Sequence, residues 1–311
     1  GPLVKTKWDQ GCYYNTLCPV GDGGYGYCNH VPTGCVATAM AQLMKYWSFP
    51  STGKGQNQYT SMVAHNVNFA AQTYNWAAMP ASLTAENNEV AKIMYHAGVS
   101  VNMNYSPGGS SASTQDAAFK LVNNWKYSST TSYQSKGTNN VDWHFKVRGS
   151  LIDGRPLIYR GSGTYGHAFI CDGFQYPDYY HFNWGWGGSY DGYFYISSLN
   201  PGSYNFTNDQ GAIFNCYPPT TATPTSIEDT ESQEFIQLFP NPNNGNFNIT
   251  IEGIKLNNAN IIVSDITSKV VTEIPVNSEN INISLPNVEK GIYFIRIESE
   301  NFTSVKKIIV K

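Results

Sequence analysis

"PTGCVATAMAQLMKYW", residues 32–47, decides how the first region of this chain is read. Val36, Met40, Leu43, Met44 and Trp47 recur at three- and four-residue intervals, the spacing of an apolar stripe on a helix. Thr33 suits the N-cap, and Gly34 lets the chain turn sharply into the helix. Cys35 then falls in the first turn, among unpaired backbone N–H groups and at the positive end of the helix dipole. Both favour the thiolate, which is the nucleophilic form of the side chain. A cysteine beside Val and Ala is ordinarily a packing residue. Chemistry at Cys35 therefore requires two further groups: a base, and something to orient that base.

Six histidines are available, at 30, 65, 96, 144, 167 and 181. His167, in "GTYGHAFICDGF" (163–174), follows a glycine turn and opens an apolar run that reads as a buried strand. A histidine there can face a cleft while the rest of the strand packs. His30 is near Cys35 in sequence but lies in a loop, and His65, His96 and His144 read as surface or semi-buried positions. Further on, "YYHFNWGWGGSYDGYF" (179–194) offers Asn183, whose amide oxygen can accept from an imidazole N–H and set its tautomer. Trp184 or Trp186 can cover that bond and keep water off it. His181 alternates with Asn183 and shares its side of the strand.

Composition bounds the rest. The chain has 311 residues, 41% of them hydrophobic, which suffices for a sizeable core and leaves room for two domains. A net charge of -3 with only 13% charged residues argues for neither nucleic acid nor a charged disordered tail. No apolar run reaches the roughly 18 residues of a membrane span. The six cysteines show no C-x-x-C pairs, so neither a zinc cluster nor another metal site is expected. Cys18 and Cys28 flank a Gly/Tyr-rich loop that a disulfide between them would close.

The chain changes character near residue 219. Residues 1–218 hold every Trp, Cys, His and Met. In this region helical patterns come first (35–47, 86–99 and 113–125, the last with a Ser113 capping start). Strand patterns follow from about residue 154, giving an α+β fold whose two halves meet at a cleft. Residues 219–233, within "PPTTATPTSIEDTESQ", have linker composition. Residues 234–311 alternate apolar and polar residues in short runs ("NFNITI", "NIIVSDI", "IYFIRIE", "VKKIIV") broken by turn signals, the pattern of a small all-β sandwich.

Taken together, "TGCVATAMAQLMKYW", "GHAFICDGF" and "YHFNWGWGGSYDGYF" resemble the streptopain family of bacterial cysteine peptidases, in that family's order and over about residues 3–218. The resemblance implies a papain-like, two-subdomain fold with Cys35 as nucleophile and His167 as general base and acid. Asn183 would orient His167, and Trp184 and Trp186 would wall the site. In "WDQGCYYN" (8–15), Gln10 matches the family's oxyanion-hole glutamine, although Tyr13 stands where proline is common and Cys12 is unusually near. Asn29, six residues before Cys35, is the alternative donor on spacing. The family implies an endopeptidase acting on proteins, with an apolar preference at the second subsite and no organic cofactor or metal. It also implies synthesis as a zymogen whose inhibitory propeptide is absent here, so the chain reads as a mature form.

The tail, from "LFPNPNNGNFNITI" to "KGIYFIRIESENFTSVKKIIVK", resembles the type IX secretion sorting domain of Bacteroidetes. It implies the type IX machinery as a partner and a secreted or surface-attached location. With no Trp and only Tyr293 as its tyrosine, the tail lacks the aromatic platform of a carbohydrate-binding module. The rival readings are a papain-fold amidase or acyltransferase using the same dyad, and a surface adhesin with an inactive first domain.

Overall fold

The computed structural model describes all residues except 23, 25, 176–177, 220–235, 252–258, 268, 277, 287 and 300–301; the side chains of 141–142, 299 and 302–304 are also left undescribed. The chain divides into two compact units, Gly1–Ile227 and Glu228–Lys311. The expected linker, 219–233, lies outside the described residues from 220 onward.

Three helices form one side of the first unit: α1 (Cys35–Trp47), α2 (Asn88–Ser100) and α3 (Thr114–Asn123). The stripe on α1 is its core face, since Val36, Met40, Leu43, Met44 and Trp47 are all buried. Asn87 caps α2 through a bond from the Val90 N–H (3.0 Å), and Ser113 caps α3 through the Asp116 N–H (3.1 Å). A hairpin of β1 (Gln56–Ser61) and β2 (Val63–Asn68) packs beside them.

The rest of the unit is a six-stranded antiparallel sheet with its own helix, α4 (Asn140–Ile152). The strands are β3 (Ser132–Ser135), β4 (Leu157–Ser162), β5 (Gly166–Gln175), β6 (Tyr179–Asn183), β7 (Gly192–Tyr195) and β8 (Asn208–Phe214), in spatial order β3-β8-β4-β5-β6-β7. Both faces of the central strands are buried, which is why β4 and β5 read as continuous apolar runs. Alternate residues serve different cores. Ile158, Ala168 and Ile170 join the core with α1, while Leu157, Tyr159, Phe169 and Cys171 join an aromatic core that includes Trp143, Val147 and Leu151 of α4. The sheet thus presses the start of β5 against the start of α1.

The second unit is all β, in a three-stranded and a four-stranded antiparallel sheet. Inward residues such as Phe247, Ile249, Ile251, Ile261, Val263, Ile295 and Ile297 share one core, so the period-two pattern in the sequence is the buried side of a sandwich.

Candidate active site

Helix α1 begins without a side-chain cap. Thr33, expected as N-cap, instead meets Thr38 (Oγ1 to Oγ1, 2.9 Å), and the N-cap is Gly34 at φ 88° and ψ 140°. Two constraints select glycine there. The positive φ is unfavourable for other residues, and a Cβ would stand 2.6 Å from Met103 Sδ and 3.0 Å from the Ser110 carbonyl oxygen. With the cap position empty of side chain, the N–H groups of Cys35 and Val36 are free to act on the Cys35 sulfur, joined by the N–H of Ala168 from β5.

Cys35 keeps partial exposure toward a cleft, yet its sulfur is packed deeply enough that burial pushes the thiol above its usual value. The three backbone N–H groups and the charge of Arg160 oppose that rise. His167, the second residue of β5, is buried, and desolvation brings its imidazole down to about 4 against the opposing pull of a backbone bond. Taken singly, each group therefore prefers its neutral form. Both side chains line the same cleft.

The group that orients His167 differs from the expected one. Its Nε2 bonds the Trp184 carbonyl oxygen at 2.8 Å, and a carbonyl can only accept, so Nε2 carries the proton and Nδ1 is left for proton exchange. Asn183 is spent elsewhere. Its Oδ1 accepts from Gln42 Nε2 (3.0 Å) and from the Gly185 N–H (3.0 Å), and its Nδ2 donates to the Thr6 carbonyl (2.7 Å) and to Gln42 Oε1 (3.2 Å). The alternation expected for β6 does put His181 on the Asn183 side, where its Nδ1 pairs with buried Asp172 at 2.6 Å. The reason for the substitution is positional: Asn183 ends β6 pointing at α1, and the chain's next carbonyl reaches the imidazole.

The residue that carries this carbonyl is held from several directions. The Trp184 N–H donates to Asp191 Oδ1 (2.9 Å), and its indole N–H donates to the Tyr190 carbonyl (2.9 Å). Trp184 is fully buried, with its ring 4.5 Å from Phe169. Trp186 lies over the imidazole, ring centroids 4.9 Å apart and 26° from parallel, and is the wall on that side.

Gln10 is half-buried, and its carbonyl accepts the Thr33 N–H at 3.0 Å, which ties its loop to the residues just before Cys35. Asn29 is exposed at φ 62° in a turn. A disulfide joins Cys12 to Cys28. The expected Cys18–Cys28 pairing is therefore wrong: Cys18 is a free, buried thiol pushed up to about 12 by desolvation. His65 and His96 are buried rather than superficial, each held by a tyrosine hydroxyl (Tyr95 at 2.9 Å, Tyr74 at 3.0 Å).

Cys35 and His167 line one cleft of about 520 Å³ between the helical half and the sheet. Residues 8–194 match the Peptidase C10 family, and residues 237–311 match the secretion system C-terminal sorting domain. The chain belongs to the Peptidase C10 family.

Among its relatives, streptopain of Streptococcus pyogenes is 33% identical over 254 residues, covering 70% of this chain and 63% of streptopain. The thiol protease/hemagglutinin PrtT of Porphyromonas gingivalis is 29% identical over 305 residues, 92% of this chain but 34% of PrtT. The chain thus spans about a third of one curated relative and under two thirds of the other. The solved structure of the interpain A cysteine protease of Prevotella intermedia superposes with a TM-score of 0.65 at 33% identity, over 70% of this chain and 94% of that one. The papain-like reading of the fold stands on that likeness, and the sorting domain marks this C10 chain as secreted or attached to the cell surface.

Three residues of the site escaped the sequence reading. Gln42 is a fully buried amide on α1; its signal was a lone polar residue between Ala41 and Leu43 on an apolar face. Asp191, in "GSYDGYF", had only turn character to distinguish it, and Arg160 read as one polar residue inside a strand.

Proposed function

We propose that this C10 chain is a secreted cysteine endopeptidase that hydrolyses protein substrates through a thioester acyl-enzyme. The observation that carries the reading is the Nε2–H bond of His167 to the Trp184 carbonyl, which leaves Nδ1 facing duty as the base for Cys35 in the same cleft. The Cys35 sulfur attacks the peptide carbonyl carbon while its proton passes to His167 Nδ1. The carbonyl oxygen becomes an oxyanion, held by the Cys35 backbone N–H and the Gln10 side-chain amide; such donors are worth about 3–4 kcal/mol each. His167 then gives its proton to the leaving amine as the C–N bond breaks. A water that loses its proton to His167 attacks the thioester, releasing the acid and the thiol. Asn183 acts through the turn it braces: by holding Gly185 and Gln42 it keeps the Trp184 carbonyl on the imidazole. Trp186 keeps water from that bond.

Synthesis as a zymogen and engagement of the type IX machinery through residues 237–311 complete the proposal, supported by the family and sorting-domain matches. The test is cleavage of casein by the wild type and by Cys35→Ala, read as new amino termini so that acyl transfer is distinguished from hydrolysis. Release of termini by the wild type, blocked by a thiol alkylator and absent in the variant, is the expected result. Undiminished cleavage by Cys35→Ala would refute it. Secretion is tested by fusing residues 234–311 to a reporter in a type IX-competent host, where retention in the periplasm counts against the sorting role.

A further inference from the structure

Arg160 of β4 lies opposite Ala168 of β5 on one side and Gly211 of β8 on the other, and Gly211 lies opposite Ser135 of β3. Residues opposed across antiparallel strands present their side chains on the same face. The row Ser135, Gly211, Arg160, Ala168 therefore faces the same way as Ile158 and Ile170, toward α1. Its Ala168 end adjoins His167 and supplies the N–H that acts on the Cys35 sulfur. Arg160 thus stands one strand spacing, about 4.8 Å, from Ala168 and lines the same cleft as Cys35 and His167. Gly211 leaves the floor beside it open to the Tyr133 hydroxyl, which a Cβ on Gly211 would collide with.

Arg160 is half-buried in this cleft, and among the described residues its guanidinium has no hydrogen-bond or ion-pair partner. Among the described residues, no side chain lining the cleft is acidic; the lining includes Tyr133, Ser135 and Gln115. A partly desolvated charge without a counter-charge is costly, and a guanidinium offers a fixed fork of donors matched to a carboxylate. Arg160 lines the cleft together with Cys35 and His167, so its charge stands within reach of a substrate bound there.

We propose that Arg160 is a specificity determinant: it binds a carboxylate of the substrate beside the scissile bond, so that acidic substrates are cleaved in preference to neutral ones. The proposal rests on the peptidase reading above and departs from the apolar subsite that the family resemblance implies.

The test uses the full chain and quenched peptides with amidated C-termini that differ only in Glu, Gln, Leu or Lys at each position flanking the cleaved bond. A parallel set with free C-termini separates a side-chain carboxylate from a terminal one. The expected result is a kcat/KM for Glu over Gln of about tenfold or more at one position, the scale of a charge-assisted hydrogen bond. That ratio should fall as salt rises. It should approach one in Arg160→Gln and favour Lys in Arg160→Glu. The salt dependence in the wild type keeps the test valid if either variant fails to fold. A preference seen only with free C-termini would assign the carboxylate to the substrate terminus. Equal cleavage of Glu, Gln and Leu peptides by the wild type overturns the proposal and leaves the peptidase reading intact, as does a Glu preference that survives Arg160→Gln. Cleavage of neither peptides nor casein overturns both.

Discussion

Replacing Gly34 by Ala perturbs the site at the one residue that both starts α1 and positions Cys35. Two costs arise. At φ 88° and ψ 140° the backbone sits in a region that is essentially restricted to glycine, where another residue costs about 1–3 kcal/mol. The new methyl would also stand 2.6 Å from Met103 Sδ and 2.7 Å from its Cε. Met103 is fully buried, so it has no solvent to retreat into, and overpacking of this kind costs about 1–3 kcal/mol. The sum is about 2–6 kcal/mol, a large share of the 5–15 kcal/mol typical of a whole domain. Chemical denaturation in a Cys35→Ala background, which removes self-digestion, measures it. Adding Met103→Ala should return the packing component and leave the backbone strain, so the two changes should couple favourably. In the active chain, Gly34→Ala should lower kcat/KM because any relief of the clash moves the N–H groups that act on the sulfur. A Gly34→Ala protein within about 0.5 kcal/mol of its parent would refute the reasoning, since it would mean the turn relaxes without strain.

Asp191→Ala should lower kcat by about tenfold to a hundredfold with little change in KM, because it frees the Trp184 N–H and with it the carbonyl that holds His167. Asp191→Asn, which still offers an acceptor oxygen, should restore most of that loss, and a failure of Asn to rescue would make Asp191 a merely structural residue. Cys12→Ser should destabilise the first unit by about 3 kcal/mol, the scale for a closed loop of this size, and a reductant should reproduce the loss in the wild type only. His96 provides a pH test. Burial brings its folded value to about 4 from 6.5, so between those values the unfolded chain binds a proton that the folded chain does not. Stability should therefore fall as pH drops from about 6.5 to 4, by up to about 3 kcal/mol from this residue. Denaturation of Cys35→Ala across that window, compared with the same chain carrying His96→Phe, checks the slope; identical slopes would exclude His96 as its source.

Local pattern carried much of this molecule. The stripe on α1, the Ser113 cap, the strands around His167 and Asn183, and the alternating tail are all properties of neighbouring residues, because side-chain periodicity is set by backbone geometry within a few positions. Helix α4 was invisible for the same reason in reverse. Its buried residues Trp143, Val147 and Leu151 are spaced by four, but polar and charged residues surround them and the packing surface comes from a distant sheet. β8 opens on three polar residues and a glycine, so its apolar run, residues 212–214, is too short to read as a strand from periodicity.

By itself the sequence singled out the residues that the proposed chemistry uses: Cys35 at a helix start, His167 at a strand start, and an Asn-Trp turn after it. Tertiary structure decided who touches whom. Asn183 could have met His167, but packing against Thr6 and Gln42 left that bond to the Trp184 carbonyl. Cys28 could have closed its own loop with Cys18, but the fold brought Cys12 to it. Arg160 came to line the cleft because strand order set it beside Ala168 and across from a glycine. Hydrogen bonds, disulfides and burial depend on approach between segments far apart in the chain, and that approach is fixed by how the cores pack, which no local spacing encodes.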